Sequence, residues 1–218
     1  MLSKLYPINL DLAGRRCVVV GGGAVAERKV RSLLQAESEV TVIAPRLSQG
    51  LMELAREGRL DWYEMCFARG MLRDIGPVLV FCATDDTEVN ELAAEEARGI
   101  GALVNAAAEP ELTDFTVPAS IRRGDLLVTV STGGASPAFA RALRQELEQE
   151  FPPAFGQWLE RLYMLRQELQ ERVPDFGARQ KFWRQALSRN VLDLVRAGQL
   201  ARAEAEIRDA IDNAGTEP

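Results

Sequence analysis

Three consecutive glycines, Gly21, Gly22 and Gly23, follow the apolar run Cys17-Val18-Val19-Val20 and lead into Ala24, Val25 and Ala26. Gly21, Gly23 and Ala26 fit the pattern G-x-G-x-x-G/A. Its first small residue makes a tight turn, its second lets a ligand approach the main chain, and its third lets helix and sheet pack closely. A helix that starts after such a turn presents unpaired N–H groups and the positive end of its dipole, which suits a diphosphate. The plain alternative is a tight strand-to-helix turn with no ligand. A second glycine turn, Ser131-Thr132-Gly133-Gly134-Ala135-Ser136-Pro137, adds a serine cap and a proline at the first helical position. Arg141 and Arg144 then stand three residues apart on one helix face, with Phe139, Leu143 and Leu147 as the apolar stripe that holds the helix down. A carboxylated ligand could be gripped there; the alternative is a capped helix with a solvated basic face.

Hydride chemistry on a nicotinamide also needs somewhere for a proton to go, and the chain contains no histidine. Carboxylates or water must serve. Asp85, Glu109, Glu111 and Asp114 follow the fourth and fifth predicted strands, at the edge where a cofactor's reactive ring projects. Asp85 could equally cap a helix, and the glutamates could be solvated loop charges. After the second strand, Ile43-Ala44-Pro45-Arg46 lacks the acid that usually meets the ribose hydroxyl, and Arg46 would tolerate a 2′-phosphate, so these residues do not separate NAD from NADP. Cysteines 17, 66 and 82 are odd in number and have no metal-ligand spacing, which predicts reduced thiols, with Cys17 and Cys82 in buried strands and no metal site.

The elements that must position these groups read as a βα alternation. Strands are predicted at 16–20, 39–44, 60–64, 78–83 and 102–106, with helices between most of them. The first helix, 24–36, turns Val25, Val30, Leu33 and Leu34 to the sheet and leaves Glu27, Arg28 and Arg31 wet; another, 87–98, starts from a cap at Asp85 or Asp86. Phe115–Ser120 and Leu126–Ser131 then read as a hairpin joined by 121–125, a candidate second domain or dimer arm. Beyond Pro137 the signal is helical, broken near Pro152-Pro153 and near Pro174–Gly177, with Trp158, Leu162, Leu165, Phe182, Trp183 and Leu187 spaced for helix packing. The last residues, 215–218, read as a frayed tail. The fold class is therefore α/β, a Rossmann-like parallel sheet, followed by a small α+β region and a C-terminal helical domain, with boundaries at 1–113, 114–150 and 151–218. A net charge of -6 excludes a general attraction to nucleic acid or anionic membrane. No apolar run is long enough to span a bilayer, and a cytoplasmic location is expected.

Gly21 to Lys29, Val40-Thr41-Val42-Ile43-Ala44-Pro45, Ala83-Thr84-Asp85-Asp86, the Phe-Thr-Val-Pro-Ala of 115–119 and Ser131 to Pro137 together resemble the siroheme synthase amino-terminal family. Those proteins are precorrin-2 dehydrogenases, and some are also sirohydrochlorin ferrochelatases. The resemblance extends to Lys181-Phe182-Trp183 and implies a stand-alone form without a methyltransferase domain, assembled as a homodimer through a small dimerisation region. It implies that NAD takes a hydride from precorrin-2, a tetrapyrrole, and that Fe²⁺ is then a co-substrate where chelation occurs. Gly21, Gly22, Gly23, Ala24, Val25, Ala44, Pro45 and Arg46 would hold the dinucleotide, and Thr84 and Asp85 would approach it. Asn105, Ser131, Gly133, Gly134, Ser136 and Arg141 would meet the macrocycle, with Glu109 and Thr132 as the acting groups. In one place the chain departs from the family, whose Asn-x-x-Asp-x-Pro reads here Asn105-Ala106-Ala107-Ala108-Glu109-Pro110. Either Glu109 reaches back to serve, or substrate orientation and water suffice, or one activity is lost. Chelation is the more exposed of the two, because stripping pyrrole protons asks more of a base. Two other classes compete: a dinucleotide or tetrapyrrole sensor without turnover, and a dehydrogenase of another small acid.

Overall fold

Short runs of β-branched and apolar residues, covered on both faces, build the first part of the chain. The computed structural model describes residues 5–106 and 108–214, so the expected frayed tail lies outside the described residues. Strands β1 (Arg16–Val20), β2 (Glu39–Ile43), β3 (Asp61–Tyr63), β4 (Leu79–Cys82) and β5 (Leu103–Ala106) form one parallel sheet in the order β3-β2-β1-β4-β5. Helices α1 (Ala24–Gln35), α2 (Gln49–Arg56), α3 (Met71–Ile75) and α4 (Thr87–Gly99) alternate with them. Cys17 and Val19 pack on one face with Val30, Leu33, Val42 and Leu54, while Val18 and Val20 pack on the other with Leu72, Ala93, Ala97 and Val104. This alternation explains why β1 is apolar at every position from Cys17 to Val20 rather than at every second residue. The strand order reverses between β1 and β4, and their carboxyl ends define the crevice in which such sheets bind ligands.

The chain divides into two compact units, one ending at Val117 and the other starting at Pro118. The second contains the antiparallel pair β6 (Ala119–Arg123) and β7 (Leu126–Val130), then α5 (Pro137–Glu150), α6 (Ala154–Arg172), α7 (Phe176–Ala186), α8 (Arg189–Arg196) and α9 (Leu200–Ala214). Trp158, Leu165, Leu169, Val191, Val195, Ile207 and Ile211 form its helical core. Among the described residues no helix is long and apolar enough to cross a membrane.

Several sequence readings shift. The first hairpin strand begins four residues later than Phe115, and 121–123, read as loop, are strand, with Gly124 and Asp125 alone making the turn. Phe115 instead packs edge-on against Phe81 at 5.4 Å, and the N–H groups of Asp114 and Phe115 donate to the Val104 carbonyl, covering the open edge of β5. Val25 is 41% exposed rather than packed on the sheet, because it stands in the first turn of α1 beside the glycines. Phe139 is 58% exposed, and α5 buries Ala140 instead. Leu187 falls beyond the end of α7, where Ser188 caps a separate helix.

Candidate active site

At the end of β1 the main chain turns on Gly21 with φ of +122°. A Cβ there would lie 2.3 Å from the Ala83 carbonyl oxygen, just after β4, and a Cβ on Gly22 would lie 1.9 Å from the Arg46 carbonyl oxygen, just after β2. The loops carrying Ala44, Pro45, Arg46 and Thr84 therefore converge on the glycine turn. Gly23 differs from both: a Cβ there meets no atom within 4 Å. It is the N-cap of α1 and has no side-chain cap bond. The first-turn N–H groups of Ala24, Val25 and Ala26 consequently lack an intrahelical acceptor. Open space in front of unpaired N–H groups and a positive helix end has the shape and charge of a diphosphate cradle, so the residues present fit a dinucleotide.

Glu27, expected to be wet, instead braces this loop. Its Oε2 accepts from the Ser48 hydroxyl at 2.6 Å and its Oε1 accepts from Arg31 Nη2 at 2.7 Å. The Ser48 N–H donates to the Gly22 carbonyl at 2.7 Å, and the Ser48 hydroxyl caps α2. Ser48, and then Arg31, hold the Glu27 carboxyl below the usual range. Ser48 is absent from the expected site residues, although a serine three residues ahead of an apolar position is a cap signal.

A second set of side chains gathers where β4 and β5 end. Asp86 caps α4 by accepting from the N–H groups of Glu88 and Val89, which leaves Asp85 exposed and without a partner among the described residues. Asn90, on the first turns of α4, is 1% exposed. Its Oδ1 accepts from the Thr84 hydroxyl at 2.7 Å and the Thr84 N–H at 3.2 Å. Its Nδ2 donates to the Thr84 carbonyl at 3.1 Å and to Glu109 Oε1 at 3.2 Å. Thr113 brings Glu109 there by clamping the N–H and carbonyl of Ala106 with its hydroxyl. Glu109 is 7% exposed, and its Oε2 is buried with no hydrogen-bond partner among the described residues, as is Asn105 Oδ1. Each unpaired buried acceptor costs about 1–3 kcal/mol. Burial pushes the nearby Cys82 thiol up to about 12, and the Glu109 charge adds to the rise.

The remaining expected groups separate into engaged and free. Asp114 accepts from Arg98 at 3.1 Å and from the Val104 N–H at 2.9 Å, which ties it to the sheet edge, and Glu111 is exposed. In the second unit, Thr132 donates to the Ser136 carbonyl and accepts from the Ser136 N–H, both at 3.2 Å, and so closes the second glycine turn. Ser131 accepts from the Gly133 N–H, Ser136 caps α5, and Gly133 and Gly134 both have positive φ. Arg123 donates to the Phe151 carbonyl and Arg144 pairs with Glu148. Arg141 is exposed, has no partner among the described residues, and lines a shallow pocket with Pro137, Ala138 and Gln145. A wider groove lined by Tyr163, Phe176 and Trp183 carries none of the expected site residues. Among the described residues no group of three or more metal-ligating side chains occurs.

Sheet order, glycine turn and open cradle together define a dinucleotide-binding protein of the Rossmann class. Residues 8–119 match the NAD(P)-binding family model, 123–150 the model of the sirohaem biosynthesis protein central region, and 154–211 that of the sirohaem synthase dimerisation region. With these three regions in this order, the chain belongs to the siroheme synthase amino-terminal family. It is similar to the solved structure of SirC, precorrin-2 dehydrogenase, with a TM-score of 0.76 and 25% identity, covering 96% of this chain and 100% of that one. It is also 38% identical to siroheme synthase of Nitrosococcus oceani over 209 residues, 96% of this chain and 44% of that protein. Siroheme synthase of Methylococcus capsulatus is 39% identical over 212 residues, 95% of this chain and 44% of that protein. The chain thus spans less than half the length of these relatives.

Proposed function

We propose that the chain catalyses the NAD-dependent dehydrogenation of precorrin-2 to sirohydrochlorin in siroheme biosynthesis. The observation that carries this reading is the open cradle at Gly23, in a chain that resembles a precorrin-2 dehydrogenase along almost its whole length. Gly22, Gly23, Ala24 and Val25 offer main-chain N–H groups to the diphosphate, and Gly21 makes the turn. Ala44, Pro45 and Arg46 border the ribose, while Thr84 and Asp85 border the nicotinamide end. The dinucleotide, when bound, supplies the hydride acceptor. Precorrin-2 loses one hydride and one proton, and the products are sirohydrochlorin, NADH and H⁺. Glu109 Oε2, unpaired and buried, is the chain's acceptor for that proton. Asn105 is the proposed macrocycle contact in the first unit. In the second unit the proposed contacts are Ser131, Gly133, Gly134, Ser136 and the guanidinium of Arg141, which suits a carboxylate. Thr132 shapes the turn that presents them.

The active form is a homodimer through 154–211, and its place is the cytoplasm. Anaerobic mixing with precorrin-2 and NAD⁺ or NADP⁺, with and without Fe²⁺, followed by absorbance, tests the reading. Catalytic formation of NADH with the sirohydrochlorin spectrum is expected, with NAD⁺ preferred over NADP⁺. Stoichiometric binding without turnover would make the chain a sensor. A shift to the metallated spectrum with Fe²⁺ would add ferrochelation; its absence beside normal NADH formation would assign that step elsewhere.

A further inference from the structure

We infer that Asn90 is a positioning residue that ties the Thr84 loop to Glu109 and holds the carboxylate so that one oxygen stays free for the reacting ligand. The inference rests on the dehydrogenase reading above for the reaction, but not for the geometry. An asparagine amide offers two donors and one acceptor oxygen with two lone pairs. All four are used here, three on Thr84 and the fourth on Glu109 Oε1. A buried side chain saturated in this way has one orientation, because turning the amide over would set its NH₂ against the Thr84 N–H and its oxygen against both the Thr84 carbonyl and the Glu109 carboxylate. One residue thereby couples the loop proposed to border the nicotinamide to the carboxylate proposed to take the proton.

The unpaired atoms give this coupling its direction. Glu109 Oε2 and Asn105 Oδ1 are both buried acceptors without a donor among the described residues. A fold seldom retains such atoms without use for them. The complement to two bare acceptors is a ligand group that brings N–H bonds, such as a carboxamide NH₂ or a pyrrole N–H. Asn90 occupies Glu109 Oε1, so only Oε2 is available to it. A carboxylate released from Asn90 could turn and spend both oxygens elsewhere.

The test is an exchange of the two groups, read by melting and by kinetics on the full chain. Asn90→Asp keeps the acceptor for the Thr84 N–H and hydroxyl but loses both donated bonds, to the Thr84 carbonyl and to Glu109, and sets two carboxylates against each other. Its melting temperature should drop by about 5 °C. In Asn90→Asp/Glu109→Gln the bond re-forms with reversed polarity, the introduced amide donating to the introduced carboxylate, and at least half of that loss should return. With precorrin-2 and NAD⁺, Asn90→Asp should lower kcat about tenfold or more while KM for NAD⁺ stays within about threefold. The exchange variant should recover stability without recovering kcat, because its carboxylate stands at the wrong position. Additive stability losses in the double variant overturn the coupling, as does a parallel loss of kcat and NAD⁺ affinity in Asn90→Asp. A wild-type chain that makes no NADH overturns the dehydrogenase reading, and the melting cycle then decides the Asn90 to Glu109 link by itself.

Discussion

Gly22 and Gly23 are neighbours, yet a methyl group added to each meets opposite surroundings. At Gly22 it runs into the Arg46 carbonyl; at Gly23 it enters empty space. Packing alone therefore predicts that Gly22→Ala unfolds more easily, by about 5 °C or more. Gly23→Ala should lose no more than about 3 °C, the cost of a poorer cap. Ligand binding predicts the reverse weighting for Gly23, whose new methyl group would occupy the diphosphate's place. Calorimetry with NADH should show affinity reduced about tenfold or more in Gly23→Ala. Unchanged affinity there would mean that the diphosphate sits elsewhere. The same residue-scale logic explains the thiols. Cys82 is pushed up to about 12 and Cys17 is raised by burial, whereas Cys66 is exposed. A thiol reagent at mildly alkaline pH should label Cys66 alone in the native protein and all three thiols after denaturation, as peptide mapping would reveal.

Among the elements, α1 and α2 are linked by a clamp that the helical period does not announce. Glu27 lies on α1, Ser48 caps α2, and the bond between them also fixes the Gly22 carbonyl through the Ser48 N–H. The Glu27 carboxyl is depressed, so its contribution is present above its unfolded value and is lost as acid carries it through the lower folded one. Glu27→Gln should melt lower than wild type at neutral pH, and the gap should close below about pH 4. A gap that persists in acid would mean that the loss is one of packing rather than charge. The displaced hairpin belongs to this scale as well. Phe115 to Pro118 alternates like a strand, but Pro118 has no N–H for a ladder, and partial burial of an aromatic ring is worth of order 1 kcal/mol or more. That matches one ladder hydrogen bond, and so the segment closes the edge of β5.

For the molecule as a whole, the second unit leaves large apolar side chains uncovered. Tyr163, Met164 and Phe176 are exposed on α6 and α7, inside the region that matches the dimerisation model. A face of this kind on a monomer marks an interaction surface. Phe176→Glu combined with Tyr163→Glu should shift the mass seen by light scattering from two chains to one, with the helical circular dichroism retained. A dimer that survives both substitutions would place the contact on another face.

Local chemistry was legible because it is written in short spacings. The β-branched run ending at Gly21 to Gly23, a cap at Asp85 or Asp86, and the proline breaks near 152 and 174 each act within a few residues; the structure keeps them and gives the cap to Asp86. Tertiary structure decided what depends on distant partners. It set Glu27 on Ser48, Asp114 on Arg98 and Val104, and Asn90 between Thr84 and Glu109, pairs whose members are separated by 6 to 21 residues. A hydrophobic period reports which face of a helix is dry, but a buried hydrogen bond is chosen by whichever polar group the sheet brings within about 3 Å. That distance exists only after the strands have stacked in their order.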